Sequence, residues 1–390
     1  MMAALPPKSG GADAVSNASA QAFPDRLPAL TSIRFWLALG VVLFHYQLNI
    51  VPEGGVGLAL IERARLAVDF FFILSGFVLA HVYGCQIRDG TYSHRRFLIT
   101  RLARIYPAHI AMLVFMTVIV GAALMLGQPF DAESYIPSGL LSAAALTHAW
   151  FPVTVPNEWN GPSWSLSAEW AAYLAFPVFA FVGLRRGRDP RLIIALAIGL
   201  FVASDAFYRW RYDEILTHAE LILGVLRIIP EFLYGIGLYQ LGVRLRPGPW
   251  TARAAAVLST SLLILLMAFS ADERITVGVS GLVILSLGLL ARSGSDRPLA
   301  HPWALEAGEA SYALYLVHLP LLIIWKNGVG MLSGVDSTYR MAFWEAGTLL
   351  AITLAAAFAL HAFWERPARR WARRRFLDTP LNSPALKGQS

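Results

Sequence analysis

Charge is what this sequence has too little of. Only 15% of its 390 residues are Asp, Glu, Lys or Arg, against 56% hydrophobic, and the mean hydropathy is +0.54. A water-facing surface needs roughly a quarter of its residues charged, so a soluble globular fold is excluded. There is one cysteine, Cys85, which excludes an internal disulfide and a thiolate metal cluster. The histidines fall into no compact ligand motif, so no metal site is expected. The amino terminus lacks a charged start followed by an apolar stretch, which excludes a cleaved signal peptide and leaves the first apolar run as a membrane anchor. No internal repeat is visible, which weakens the architecture built from repeated halves that many transporters share.

What is present is a series of apolar runs of about 20 residues, the length of a spanning helix and twice that of a barrel strand. In hydrocarbon every backbone amide and carbonyl must be satisfied internally, so such runs become helices. The expected fold is all-α, a polytopic transmembrane helix bundle of ten spans near residues 32–50, 66–84, 108–127, 164–184, 190–207, 221–241, 253–270, 275–291, 309–325 and 342–363. The fifth contains Asp205 and is the weakest. Residues 1–28, rich in Pro, Gly, Ala and Ser, read as a flexible tail. The membrane domain occupies 29–367, and 368–390 form a basic tail.

An even number of spans puts both termini on one side, and arginine chooses it. With the amino terminus inside, the inner segments hold Arg88, Arg95, Arg96, Arg101 and Arg104, then Arg185, Arg186, Arg188 and Arg191, then Arg244, Arg246 and Arg253, and the carboxyl tail adds more. The longest outer loop, 128–163, has no Lys or Arg. By the positive-inside rule both termini are expected in the cytoplasm. The net charge of +7 is therefore a mark of orientation and not of nucleic-acid binding. The 128–163 loop, with Asp131, Glu133, Asn157, Glu158 and Trp159, has the length of a lid or ligand-binding loop but not of an independent domain.

Ionisable residues inside apolar spans are costly, at least about 2.5 kcal/mol each on insertion scales, and they normally face a cavity or a partner. Arg34 and His45 are eleven residues apart, three turns plus about 20°, so they share a helix face about 16 Å apart along the axis. Arg34 also suits an interfacial anchor, and His45 also suits a packed, hydrogen-bonded histidine. Asp69, near the outer start of the second span, is a candidate acceptor for the His45 imidazole N–H; a first-turn acid favoured by the helix dipole is the simpler alternative. The neighbouring Ser75 and Gly76 suit close packing. Asn160, Gly161 and Pro162 form a turn, Ser163 or Ser165 is placed to cap the next helix, and Glu169 then falls near the depth of His45, with Tyr173 on its face at i+4. Trp159, Trp164 and Trp170 fit an interfacial belt or a sugar-stacking surface. Ser311, Tyr315 and His318 share a face of the ninth span. Arg95, Arg96, Arg101 and Arg104 gather on one amphipathic helix suited to phosphate oxygens, either lipid headgroups or a phosphate-bearing cofactor, and Pro107 is expected to break that helix from the third span.

In order along residues 29–367, the segments RFWLALGVVLFH, VDFFFILSGF, RRFLITRLARIYP, WSLSAEW, SYALYLVHLP and FWERP together resemble the integral membrane acyltransferase 3 family, in a form without an appended extracytoplasmic domain. The resemblance implies transfer of an acyl group, usually acetyl, from cytosolic acyl-coenzyme A to a hydroxyl of a glycan, a lipid-linked sugar or a small glycosylated product such as a macrolide. It implies a bacterial inner-membrane protein whose partners are lipid, acyl-CoA and the acceptor. His45, Arg34 and Glu169 fall on the family's histidine, paired arginine and carboxylate. Arg101 and Arg104 fall on its cytosolic arginine motif, with Arg95 and Arg96 as helpers, while Asp69 and His318 lie within matching segments. The expected chemistry has His45 taking the hydroxyl proton and Glu169 orienting His45 or the sugar, or an acylated side chain acting as a shuttle. A proton-coupled transporter would use the same buried groups as a relay.

Overall fold

Prolines set where many of the helices begin. The computed structural model describes residues 23–52, 54–127, 132–152, 159–334 and 339–377, with the side chains of 331–333 excepted. Its long helices are α1 (Pro28–Ile50), α2 (Ala67–Arg88), α3 (His94–Met125), α4 (Trp164–Leu174), α5 (Phe176–Gly183), α6 (Pro190–Tyr212), α7 (Val225–Arg244), α8 (Pro249–Ala268), α9 (Glu273–Arg292), α10 (Pro302–Ser333), α11 (Phe343–Leu360) and α12 (Arg366–Phe376). Helices α1, α6, α8 and α10 open on proline, whose missing N–H costs nothing in a first turn. No strand occurs among the described residues.

Eight helices are long and apolar enough to cross a membrane, and nine if the α4–α5 pair, bent by 61°, counts as one. The tenth expected segment is α7, which is as long as α8 and α9 but carries Arg227 and Glu231, both buried. It can carry them because it stands at the centre. Helix α7 packs chiefly against α2 and α6, and α1 against α10. In the most apolar stretch of α9, 78% is buried, against 22% in α3, α6 and α8, so the latter three form the lipid-facing perimeter.

Two glycines let α2 and α7 touch. A Cβ at Gly76 would lie 2.0 Å from the Phe232 carbonyl oxygen, and one at Gly235 would lie 2.0 Å from that of Ile73; any side chain there forces the helices apart. Contacts across the loops then define two ends. At the arginine-rich end Arg186 meets Asp89 at 3.8 Å and Arg244 meets Asp189 at 3.6 Å. At the opposite end Arg63 and Arg65 meet Glu273, and the Met341 N–H donates to the Asn49 carbonyl at 2.8 Å.

Two expectations are corrected. Pro107 does not break the chain: α3 runs through it for 32 residues. Proline costs the helix only the hydrogen bond to the Ala103 carbonyl one turn back, and contacts from elsewhere pin the same segment: the Tyr312 hydroxyl donates to the Ile105 carbonyl at 2.5 Å and Trp364 Nε1 to the Pro107 carbonyl at 2.9 Å. The second of these gives the FWERP segment a structural task, fastening the carboxyl-terminal helix to α3. The amino-terminal tail is not loose to residue 28. Residues 1–22 lie outside the described residues, but Phe23 is buried against Phe77 and Tyr239, with ring centroids 5.6 and 5.8 Å away. The basic carboxyl tail is helical as far as Phe376; residues 378–390 lie outside the described residues, as do Asp131, Asn157 and Glu158 of the long loop.

Candidate functional site

A cavity of about 540 Å³ opens among α1, α2, α3, α4 and α10. Arg34 of α1 and Arg101 and Arg104 of α3 line it, and none of the three has a carboxylate within ion-pair distance among the described residues. Arg101 instead faces the rings of Tyr83 and Phe97, 5.9 and 6.0 Å from their centroids, and its buried Nε has no hydrogen-bond partner. Unpaired guanidiniums around a void are a receptor for an anion, and their forked donors match phosphate oxygens. Arg95 and Arg96 do not join them: both are exposed in the first turn of α3. Six and five residues before Arg101, they point about 120° and 140° away from it around the helix, whereas Arg104 at i+3 stays on its face.

Glu169 lines the same cavity. Its Oε1 accepts hydrogen bonds from Ser75 Oγ at 2.8 Å and from the Tyr173 hydroxyl at 2.5 Å. Sequence reasoning placed Tyr173 on this face but read Ser75 as packing alone. It also set Glu169 at the depth of His45, and the structure corrects this: the carboxylate stands in the arginine-lined chamber, while His45 is not among the cavity's lining residues. The chain before α4 turns into the bundle, where Leu146, Ala149 and Asn160 are buried. The Ala149 N–H donates to Ser167 Oγ at 3.1 Å, and the Tyr315 hydroxyl to the Pro162 carbonyl at 3.0 Å. Helix α4 therefore begins inside the bundle, at the level of mid-α10, and Glu169 lies a further turn and a half toward the arginine-rich end. Neither expected serine caps it: Ser163 and Ser165 donate to the carbonyls of Asn160 and Pro162. Nor do two of the three tryptophans, Trp159 and Trp164, form a belt. Trp159 is buried and donates to the Ile136 carbonyl at 2.8 Å, and buried Trp164 stacks beneath Arg227.

Beyond the cavity's far wall lie two histidines. His318 is fully buried, its Nδ1 2.7 Å from the Tyr315 carbonyl and its Nε2 3.3 Å from His45 Nδ1, which is itself 2.9 Å from the Val41 carbonyl. A carbonyl only accepts, so both Nδ1 atoms carry the protons in this assignment of hydrogens. His318 Nε2 then shares the His45 proton, and His45 Nε2 keeps its lone pair, as a general base requires.

Asp69 is not the partner of His45. Its carboxylate takes Arg227 Nε at 2.7 Å and Nη2 at 2.5 Å, a fork between two side chains that are 0% and 1% exposed. The bidentate geometry offsets the desolvation of both charges. From the first turn of α2, Asp69 faces α7 and not α1. Arg227 was missed, although one arginine and one acid within spanning helices are the signature of a pair. A second such dyad joins His361 Nδ1 to Glu365 Oε2 at 2.9 Å in a π-helical turn near the arginine-rich end.

A family model described as an acyltransferase domain matches residues 27–362. Acyltransferase MdmB of Streptomyces mycarofaciens is 30% identical over 90% of this chain and 93% of its own length. Protein 2 in the picA locus of Rhizobium radiobacter is 32% identical over 48% of this chain and 99% of its own. Peptidoglycan O-acetyltransferase OatA of Listeria monocytogenes is 22% identical over 88% of this chain and 56% of its own length. No solved structure matches the chain.

Proposed function

The chain belongs to the acyltransferase 3 family of multi-pass membrane O-acyltransferases, and from that premise we propose that it moves an acyl group, acetyl first, from cytosolic acyl-coenzyme A to a hydroxyl of a cell-surface or exported glycan. It works in the bacterial inner membrane with both termini inside. The observation that carries the reading is the set of three arginines, Arg34, Arg101 and Arg104, without carboxylate partners among the described residues, around one cavity that ends beside a histidine pair. Acyl-coenzyme A has the matching shape: phosphates for the guanidiniums and a long neutral arm leading a thioester inward.

The acceptor hydroxyl gives its proton to His45 Nε2 as its oxygen bonds to the thioester carbonyl carbon. The carbon–sulfur bond breaks, and the proton passes on to the thiolate, leaving an ester and free coenzyme A. His318 fixes the ring that carries out this step. Glu169, held through Oε1, offers Oε2 to an N–H or O–H donor of the substrates within the chamber. Direct transfer needs the Tyr315–Ser165 hydroxyl pair, 2.9 Å apart between cavity and histidines, to part.

Purified protein given labelled acetyl-coenzyme A and envelope glycan should form labelled O-acetyl ester, with loss of about 100-fold or more in His45→Ala. Saturable uptake of a solute into vesicles without covalent transfer would overturn the reading.

A further inference from the structure

The cavity changes character along its length. On α2 its wall runs from Val82 and His81 through Ser75 to Phe72 and Val68, fourteen residues or about 21 Å of helix. Every arginine and carboxylate lining it belongs to the mouth or the middle. Past Ser75 and Glu169 the lining is Leu74, Phe72, Phe71, Val68 and Leu166 with the hydroxyls of Ser165 and Tyr315. Those hydroxyls lie 2.9 Å apart and each bonds to the Pro162 carbonyl, which closes the end.

This apolar end is also backed rigidly. The Phe72 ring, 3% exposed, stands edge-on to Trp164 with centroids 5.9 Å apart. Trp164 in turn carries the Arg227 guanidinium 5.2 Å from its ring, and Arg227 is locked to Asp69. An ion pair between two fully buried side chains does not swing aside, because separating it leaves two bare charges in the bundle. Phe72 is therefore a fixed stop and not a yielding side chain.

The geometry points to the deep end as the acyl pocket, with Phe72 as the residue that limits the transferred group to short chains. This rests on acyl-coenzyme A being the donor. With phosphates at the mouth and the arm along α2, the acyl carbons are the only part of the donor that matches an apolar, closed end. Each methylene added beyond acetyl meets the Phe72 ring, and the Asp69–Arg227 pair acts as a positioning element behind it.

The test is equilibrium competition of acetyl-, butyryl- and hexanoyl-coenzyme A against labelled acetyl-coenzyme A on the purified full chain, so that no acceptor is needed. In the wild type, affinity should fall by about tenfold or more from acetyl to hexanoyl, and Phe72→Ala should abolish that fall, since single methylenes in apolar pockets are worth about this much. Phe72→Leu, a milder change that keeps the core filled, should relieve it in part and stands in if the alanine variant does not fold. An unchanged chain-length profile in a folded Phe72 variant overturns the inference while leaving the donor intact. Wild-type protein that binds none of the three thioesters overturns the donor reading, and the acyl pocket with it.

Discussion

Arginines at the two ends of the bundle are treated in opposite ways. At the opposite end from the cavity mouth, Arg65 donates to both oxygens of Glu273 at 2.5 and 2.6 Å, Arg63 meets the same carboxylate, and Thr217 Oγ1 donates to it at 2.5 Å. Nearby, Asp205 accepts from Arg209 at 3.1 Å, Arg274 at 3.2 Å and the Leu216 N–H at 2.9 Å. In the cavity, Arg34, Arg101 and Arg104 have no such acid among the described residues. The difference separates two uses of one residue type. Paired guanidiniums tie helix ends together, whereas unpaired ones around a void leave their donors for a ligand.

The largest effect should come from breaking the paired set. Glu273 is 6% exposed, and Glu273→Ala leaves two arginines facing each other without an acid, a loss of about 3 kcal/mol. Thermal unfolding in detergent should register it, while donor affinity per folded molecule stays near wild type. The mirror experiment removes an unpaired cation. Arg34→Ala or Arg104→Ala should raise KM for acetyl-coenzyme A about 10- to 100-fold, the value of a charge-assisted hydrogen bond of about 1.5–3 kcal/mol, and leave the melting temperature unchanged or higher. A large stability loss with unaltered KM in the Arg34 and Arg104 variants would erase the contrast.

The same contrast explains what could be read from the sequence. The all-helical membrane bundle was legible because apolar runs of spanning length have no alternative in lipid, and Arg34, Glu169 and His318 stood out because hydrophobic patterning cannot explain them. Partnerships were not legible. Asp69 and Arg227 are 158 residues apart, and nothing local to either names the other, so the nearer His45 drew the assignment. Depth was misjudged at Glu169 for a related reason: the loop before α4 enters the bundle on backbone and serine hydrogen bonds, which leave no apolar period to read. Pro107 misled because a proline removes one hydrogen bond from a helix, whereas the contacts that pin this segment come from Tyr312 and Trp364, both more than 200 residues away in sequence.

The contrast can also be sharpened by converting one class into the other. Thr31 lines the cavity one turn before Arg34, and Thr31→Glu supplies the missing acid at i,i+3. Donor affinity should drop by about 1 kcal/mol, roughly a fivefold rise in KM. Thr31→Gln, of similar size without the charge, should leave KM nearer wild type. Equal effects of the two variants would mean that bulk, not pairing, is being measured.

The smallest effect tests the edge of the paired network. Asp272, just before α9, accepts from Arg274 Nε at 2.9 Å, and hydrogen bonding from that guanidinium holds its carboxyl down to about 2. An unfolded aspartate titrates near 3.9, so the folded value is depressed. Its contribution is therefore complete above about pH 4 and is lost as pH falls toward about 2. Asp272 is 38% exposed, so solvent screening cuts that contribution to about 0.5 kcal/mol. The difference in stability between wild type and Asp272→Asn should accordingly be small and constant from neutral pH down to about pH 5, then shrink toward zero between about pH 4 and pH 2. A gap that widens in that window would mean that Asp272 is stabilised more when protonated, and that Arg274 answers to Asp205 alone.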